Sequence, residues 1–244
     1  MIARLLWLAA LAAIAAVTVS LQLDSHARRV PALASAVPAV LRNEAQTPIV
    51  RQALAGATPE QALAEAQTLV ARRPLPAENL LLLAAAQAKS GQEEAALRTI
   101  QIAGRRGWRE PAAQEAMLRL ALANQDRPEA ARRYAALFLR QATPDALLLE
   151  LGPAVLDGPD PAARNTIVAV VVGGERWHAA FLRRGARVMP PAAFAAIAEG
   201  SMARGARFDC GVLKVSLDSL VQRDAGAAAT LRAAAAKRCP GLGS

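Results

Sequence analysis

Residues 77–105 read AENLLLLAAAQAKSGQEEAALRTIQIAGR, a run of leucine and alanine on either side of one glycine. Leu80, Leu83, Ala84 and Gln87 recur at i, i+3, i+4 and i+7, which lays a largely apolar stripe along one face of a helix. Ser90-Gly91 interrupts the pattern. Glu93-Glu94 then opens a second helical run, with its acids where the helix dipole favours them. The expectation is two helices folded back on each other about Gly91. Neither can bury its apolar face alone, so helices of the same kind must flank the pair.

The same order of residues recurs on both sides. Three segments align: TPEQALAEAQTLVARRP at 58–74, SGQEEAALRTIQIAGRRGW at 90–108 and QDRPEAARRYAALFLRQATP at 125–144. Each begins with a turn, follows with an acidic residue and then places alanine inside a helix. The matching alanines, Ala62, Ala96 and Ala131, stand 34 and 35 residues apart. A period of this length marks stacked helical pairs.

On these residues the chain resembles the tetratricopeptide repeat family over about 58–143. Ala84 and Ala96 satisfy the small-residue spacing between first and second helices. Gly91 sits at the turn-glycine position, Pro74 at the closing proline, and Ala103 at the late small position. The chain departs from the pattern at Leu80 and Gln87, where the family has large aromatics. It departs again at Asp126, in place of the turn glycine, and at Arg119, at a small-residue position. The resemblance implies an all-α fold, a right-handed stack of antiparallel helix pairs (an α-solenoid), whose inner helices present a surface to a protein partner. Asn79, Gln87 and Gln114, on first helices, are the candidate contacts. Trp108 and Trp177 are candidate packing anchors or partner contacts.

Composition agrees with a helical chain. Of 244 residues 54% are apolar but only 3% are aromatic, so good helix formers, alanine and leucine, carry the apolar content. An all-β fold would want more Val, Ile, Thr and aromatics. The formal charge is +9, nearly all from arginine. Residues 1–110 carry 12 Lys/Arg against 8 Asp/Glu and residues 111–244 carry 17 against 12, so the excess is spread, +4 and +5, with no basic arm. A solvated surface accounts for it. Arginines 176, 183, 184, 187, 204 and 207 offer a stripe that would instead face lipid headgroups, RNA or an acidic protein. Without interleaved aromatics or a known motif, no nucleic acid is expected.

From Leu5 to Leu23 there is no charged residue. Nineteen helical residues reach roughly 28 Å, close to the hydrocarbon thickness of a bilayer. The run is longer than the core of most signal peptides, which favours a single uncleaved anchor, although Ser25-His26-Ala27 offers a small-x-small cleavage site. Arg4 argues for a cytoplasmic start, and Arg28 and Arg29 argue the other way. Residues 24–41 read as a linker or weak helix, and 42–55 as one irregular helix.

In the second half, Thr143 is placed to cap a helix before Pro144, and Gly152-Pro153 to break or kink it. Gly158-Pro159-Asp160-Pro161 is a candidate boundary. Ile167, Val168, Val170, Val171 and Val172 lead into Gly173-Gly174. They fit a buried strand or a crowded helix, and the helical surroundings with no GxGxxG favour the helix. Further helices are expected near 175–185, 190–203, 210–222 and 225–237. Cys210 and Cys239, 29 residues apart, fit a disulfide that staples the end of the stack, the alternative being two buried thiols. Such a pair belongs in an oxidising compartment, which resolves the orientation: an inner-membrane, single-pass protein with its body in the periplasm.

The organisation read from the sequence is therefore an anchor at 1–24, a linker at 25–57, helical repeats at 58–143 and a C-terminal helical region at 144–244. No catalytic, metal or cofactor site is expected. The two histidines, His26 and His178, stand without GxSxG, HExxH or CxxC. The function expected is a scaffold for a protein partner in an envelope assembly, secretion or polysaccharide system. The alternative is a cleaved periplasmic protein whose basic second half binds an anionic glycan or lipid.

Overall fold

A computed structural model of the chain describes residues 2–107 and 109–242. Among the described residues there are no strands. The helices are α1 (Ile2–Ala27), α2 (Gln46–Gly56), α3 (Pro59–Arg72), α4 (Ala77–Lys89), α5 (Glu93–Arg106), α6 (Pro111–Ala123), α7 (Arg127–Phe138), α8 (Asp145–Leu156), α9 (Ala162–Val172), α10 (His178–Val188), α11 (Pro191–Ala203), α12 (Cys210–Val221) and α13 (Ala225–Ala236). Short 3-10 turns cover Pro31–Ala36, Ala39–Leu41, Glu175–Trp177 and Pro240–Leu242. The chain divides into two compact units, residues 1–113 and 114–244. The Gly158–Pro161 punctuation is a loop inside the second unit rather than its edge.

In the first unit α4 packs against α2, α3 and α5, and α2 against α3. The helical pair expected at 77–105 forms as α4 and α5. Gly91 turns between them at φ 77°, a backbone conformation that glycine adopts without steric cost. The Gln92 amide closes the turn onto the Gln87 carbonyl at 2.8 Å. Thr58 and Gln61 build a reciprocal capping box ahead of α3. The aligned alanines face inward: Ala62, Ala84, Ala96 and Ala103 are all buried. Residues 31–45 are not a free tether. Ala34, Val37 and Ala45 bury themselves with Ala27 from the end of α1, so the expected linker is a packed segment.

The second unit pairs its helices in a different order. α7 packs on α9, α9 on α11 and α11 on α13, while α8 packs on α10 and α10 on α12. Contacts of α7 with α8, and of α12 with α13, join the two rows. Between them lies one continuous core, which includes Tyr134, Leu148, Phe181, Leu182, Phe194 and Leu217. The Tyr134 hydroxyl donates to the Leu148 carbonyl at 3.2 Å, and burial pushes its pKa up, so it stays a donor. The valine-rich 162–172 run is helical, with Ile167, Val168 and Val171 turned into this core.

Two local expectations in this unit are corrected. α8 runs through Pro153 without a break. The carbonyl that loses its partner to Pro153 belongs to Leu149, a residue 46% exposed. Thr143 does not cap α8, because the N-cap residue is Pro144. The Thr143 hydroxyl is buried with no hydrogen-bond partner among the described residues, while its carbonyl accepts from Arg184.

The Sγ atoms of Cys210 and Cys239 lie at bonding distance, 1.94 Å, with Cα atoms 5.7 Å apart. The pair ties the start of α12 to the chain just beyond α13. In the loop-entropy account, closing a loop of this length stabilises the fold by about 3–4 kcal/mol.

Candidate functional site

The junction between α1 and the rest of the first unit is the most distinctive feature of the chain. α1 is long and apolar enough to cross a membrane. Its large side chains, among them Leu5, Trp7, Ile14, Val19 and Leu21, are exposed along its length. In the last turn the pattern reverses. Asp24 is 5% exposed and Ala27 0%. The Asp24 carboxylate accepts from the amides of Asn43 at 2.8 Å, Glu44 at 3.1 Å and Ala45 at 2.9 Å. These amides precede α2, whose N-cap residue, Ala45, has no side chain with which to cap. An acid nineteen or more residues earlier in the chain thus satisfies orphan donors at the start of α2 and places negative charge there.

Polar side chains continue this stitching. Arg73 pairs with Glu44 at 2.8 Å, and the buried Gln46 donates to the Glu65 carboxylate at 2.6 Å. Lys89 donates to the carbonyls of Leu54 and Ala57 at 3.0 and 2.8 Å, at the carboxyl end of α2. A cation there satisfies free carbonyls and meets the negative end of the helix dipole.

The second unit uses arginine the same way. Arg184 binds the Asp145 carboxylate at 2.8 Å and the carbonyls of Phe138, Arg140 and Thr143. Arg223 donates to Ala186 and Met189, Arg164 to Leu156 and Gly158, and Arg238 to Ala206. Of arginines 176, 183, 184, 187, 204 and 207, five are exposed and one is drawn inside. Arg184 is internal, Arg187 reaches Asp145 at 3.7 Å, Arg204 donates to Asn165, and Arg176 lies over the Trp177 ring.

The residues expected to meet a partner have other duties. Asn79 is 2% exposed and its amide donates to the Arg73 carbonyl at 2.9 Å. Gln114 is 2% exposed and accepts from Arg133 at 3.0 Å. Both amides are committed inside the fold, which corrects their assignment as surface contacts: polar residues on an inner helix face close hydrogen bonds there rather than opening to solvent. Gln87, half-buried, accepts from the Thr99 hydroxyl at 2.8 Å and joins α4 to α5. Trp177, half-buried, edges a small apolar cavity with Phe138, Ile167 and Phe181. Trp108 lies outside the described residues. Both ring nitrogens of the buried His178 lie 3.1 Å from carbonyl oxygens, those of Arg207 and Val171, and the ring meets Phe208 edge-on. This places the histidine as a packing and tying residue.

Beside the disulfide, a cavity of about 470 Å³ is lined by Met202, Gly205, Arg207, Phe208, Leu213, Arg238 and Cys239. Two guanidinium groups and apolar side chains line it and no carboxylate does, so it suits an anionic group carried on an apolar body. Arg207 is among the arginines singled out from the sequence and Arg238 is not, because the lining comes from α11, the loop before α12, α12 itself and the segment after α13. Comparison with known protein families, curated proteins and solved structures finds no match to this chain.

Proposed function

We propose that this chain is a single-pass membrane-anchored scaffold, with a helical-repeat body in the bacterial periplasm that holds a protein partner in an envelope assembly, secretion or polysaccharide system. The observation that carries the reading is α1. It offers apolar surface throughout its length and then docks its final turn, through Asp24 and Ala27, into the body. Removal of the leader after Ala27 would take Asp24 away and strand three amides, which favours an anchor that is kept.

Two further features support a scaffold. The alternate packing of α7 to α13 is one that stacked helix pairs would produce, and the alanines aligned from the sequence are buried where such pairs would need close approach. The groove at Arg207, Phe208 and Leu213 suits a partner segment with an acidic side chain beside apolar ones. The alternative, a cleaved protein gripping an anionic glycan or lipid through its basic second half, has less support, since Arg164, Arg184 and Arg223 spend donors on backbone carbonyls.

The test has two arms. Carbonate washing of membranes, followed by intact mass, should leave the full-length chain in the pellet; a soluble chain lacking the leader would overturn the anchor. A photo-crosslinker placed at position 207 should yield one discrete protein adduct that R238E abolishes; no adduct, or one indifferent to R238E, would overturn this groove as the partner site.

A further inference from the structure

Two cavities wrap the carboxyl end of α1. One, of about 410 Å³, is lined by Arg28, Arg51 and Arg73, by Glu44 and Glu78, and by Thr47, Asn79 and three prolines, Pro31, Pro48 and Pro76. The other, of about 270 Å³, is lined by Ser25, His26, Arg28, Arg29 and Glu44. Arg28 and Glu44 belong to both.

The charges in them do not cancel. Glu44 pairs with Arg73, and Glu78 pairs with Arg51. That leaves Arg28 and Arg29, both exposed and in no ion pair among the described residues. Beside them stand the Ser25 hydroxyl and the Nε2 of His26, whose Nδ1 is taken by the Gln22 carbonyl at 2.9 Å. The prolines hold one wall in fixed backbone geometry. The shape is set by the Asp24 bonds and by the buried Ala27, Ala34, Val37 and Ala45.

Depth decides what such a site meets. With Leu5–Leu23 in the hydrocarbon, Arg28 lies five residues beyond its edge, roughly 7 Å along the helix direction. That is the headgroup layer of a bilayer. Arginine there meets phosphate oxygens, for which its planar fork of donors is matched.

We infer that the Arg28–Arg29 corner of these cavities is a binding site for the phosphate of an anionic phospholipid headgroup, seated at the membrane surface beside α1. The site rests on the reading of α1 as a membrane span and adds to it a preferred lipid. It is separate from the basic second half and from the groove beside the disulfide.

The full chain in nanodiscs of phosphatidylcholine with a minority of phosphatidylglycerol tests this, by native mass spectrometry of the lipids that remain on the protein. Wild type should enrich phosphatidylglycerol roughly tenfold over its share of the bilayer. R28Q/R29Q should return the ratio to that of the bilayer. R183Q/R232Q, two exposed arginines of the second unit with the same loss of charge, should keep the enrichment. R28Q alone, should the double variant fold poorly, is expected to lose most of it. Enrichment that survives R28Q and R28Q/R29Q, or that R183Q/R232Q removes equally, would overturn the site. So would displacement of the retained lipid by excess inorganic phosphate, which would assign the corner to a free anion. A chain that does not enter nanodiscs at all would strike the membrane span first, and is told apart by that failure.

Discussion

Leu69 and Phe194 are both fully buried, yet they stand in cores of different construction. Leu69 belongs to a small cluster with Val50, Ala66 and Ala86, one of several separate clusters in the first unit. Phe194 belongs to a core that continues from Leu118 to Leu242 across the second unit. The difference follows from residue size. Alanine lets helices approach but removes little apolar area from water, whereas each buried Leu, Phe or Met contributes about 1.5–3 kcal/mol. The first unit offsets its thin cores with polar ties at helix ends: Asp24 to three amides, Lys89 to three carbonyls, Gln46 to Glu65. Charged donors and acceptors make stronger hydrogen bonds than neutral ones, so a few ties at helix termini go far. The second unit has ties of the same kind, but they brace a core that already holds.

The largest expected effect separates the two cores. Phe194→Ala should cost about 3–5 kcal/mol, because Gly185 packs so closely on the Phe194 ring that a void there has little room to collapse. Leu69→Ala should cost less, about 2–3 kcal/mol, since its fully buried neighbours are small and the leucines packed against them are only partly buried. Denaturant titration of the two variants compares them directly, and equal losses would show that the first unit is packed as tightly as the second.

Next comes the polar side of the comparison. Asp24→Ala should destabilise the first unit by about 1–3 kcal/mol, the cost of unsatisfied buried amides. Hydrogen exchange should quicken at Asn43, Glu44 and Ala45 and leave the second unit unchanged. Unaltered exchange at those amides would mean that packing around Ala27 alone holds α1 to the body.

The smallest effect depends on pH. Burial by itself would raise the pKa of Glu129, but hydrogen bonds from Arg132 and Arg133, each at 2.7 Å, with their positive charges, outweigh it and hold the carboxyl below its ordinary range. A depressed acid stabilises the fold fully above its unfolded pKa, and that contribution fades as pH falls through the folded one. The second unit should therefore lose up to about 1 kcal/mol on acidification below the usual carboxylate range. Glu129→Gln should flatten this part of the pH dependence in a thermal melt. An unchanged acid slope would assign it to other carboxylates.

How much of this was legible beforehand varies by feature. The hairpin at Gly91, the helices beginning at Pro111 and just after Pro190, the helical state of 162–172 and the proximity of Cys210 to Cys239 all follow from spacing and breakers. Thr143 and Pro153 went the other way for local reasons: the cap fell one residue later, and a single lost hydrogen bond on an exposed face did not stop α8. Asn79 and Gln114 were legible as helix residues of an inner face but not as buried ones, because an amide gives the same sequence signal whether it faces water or a carbonyl.

The sequence by itself determined where most helices start and stop and which of their faces are apolar, since these depend on residues within a turn or two of one another. It also determined that one long apolar run opens the chain. Only the tertiary structure decided that α9 skips α8 to pack on α7, that Asp24 reaches the start of α2, and that Lys89, Arg184 and Arg223 close the ends of helices more than thirty residues earlier. The reason is physical. The partners in those last contacts are backbone amides and carbonyls, which nearly every residue carries, so no pattern of side chains marks which ones will be met.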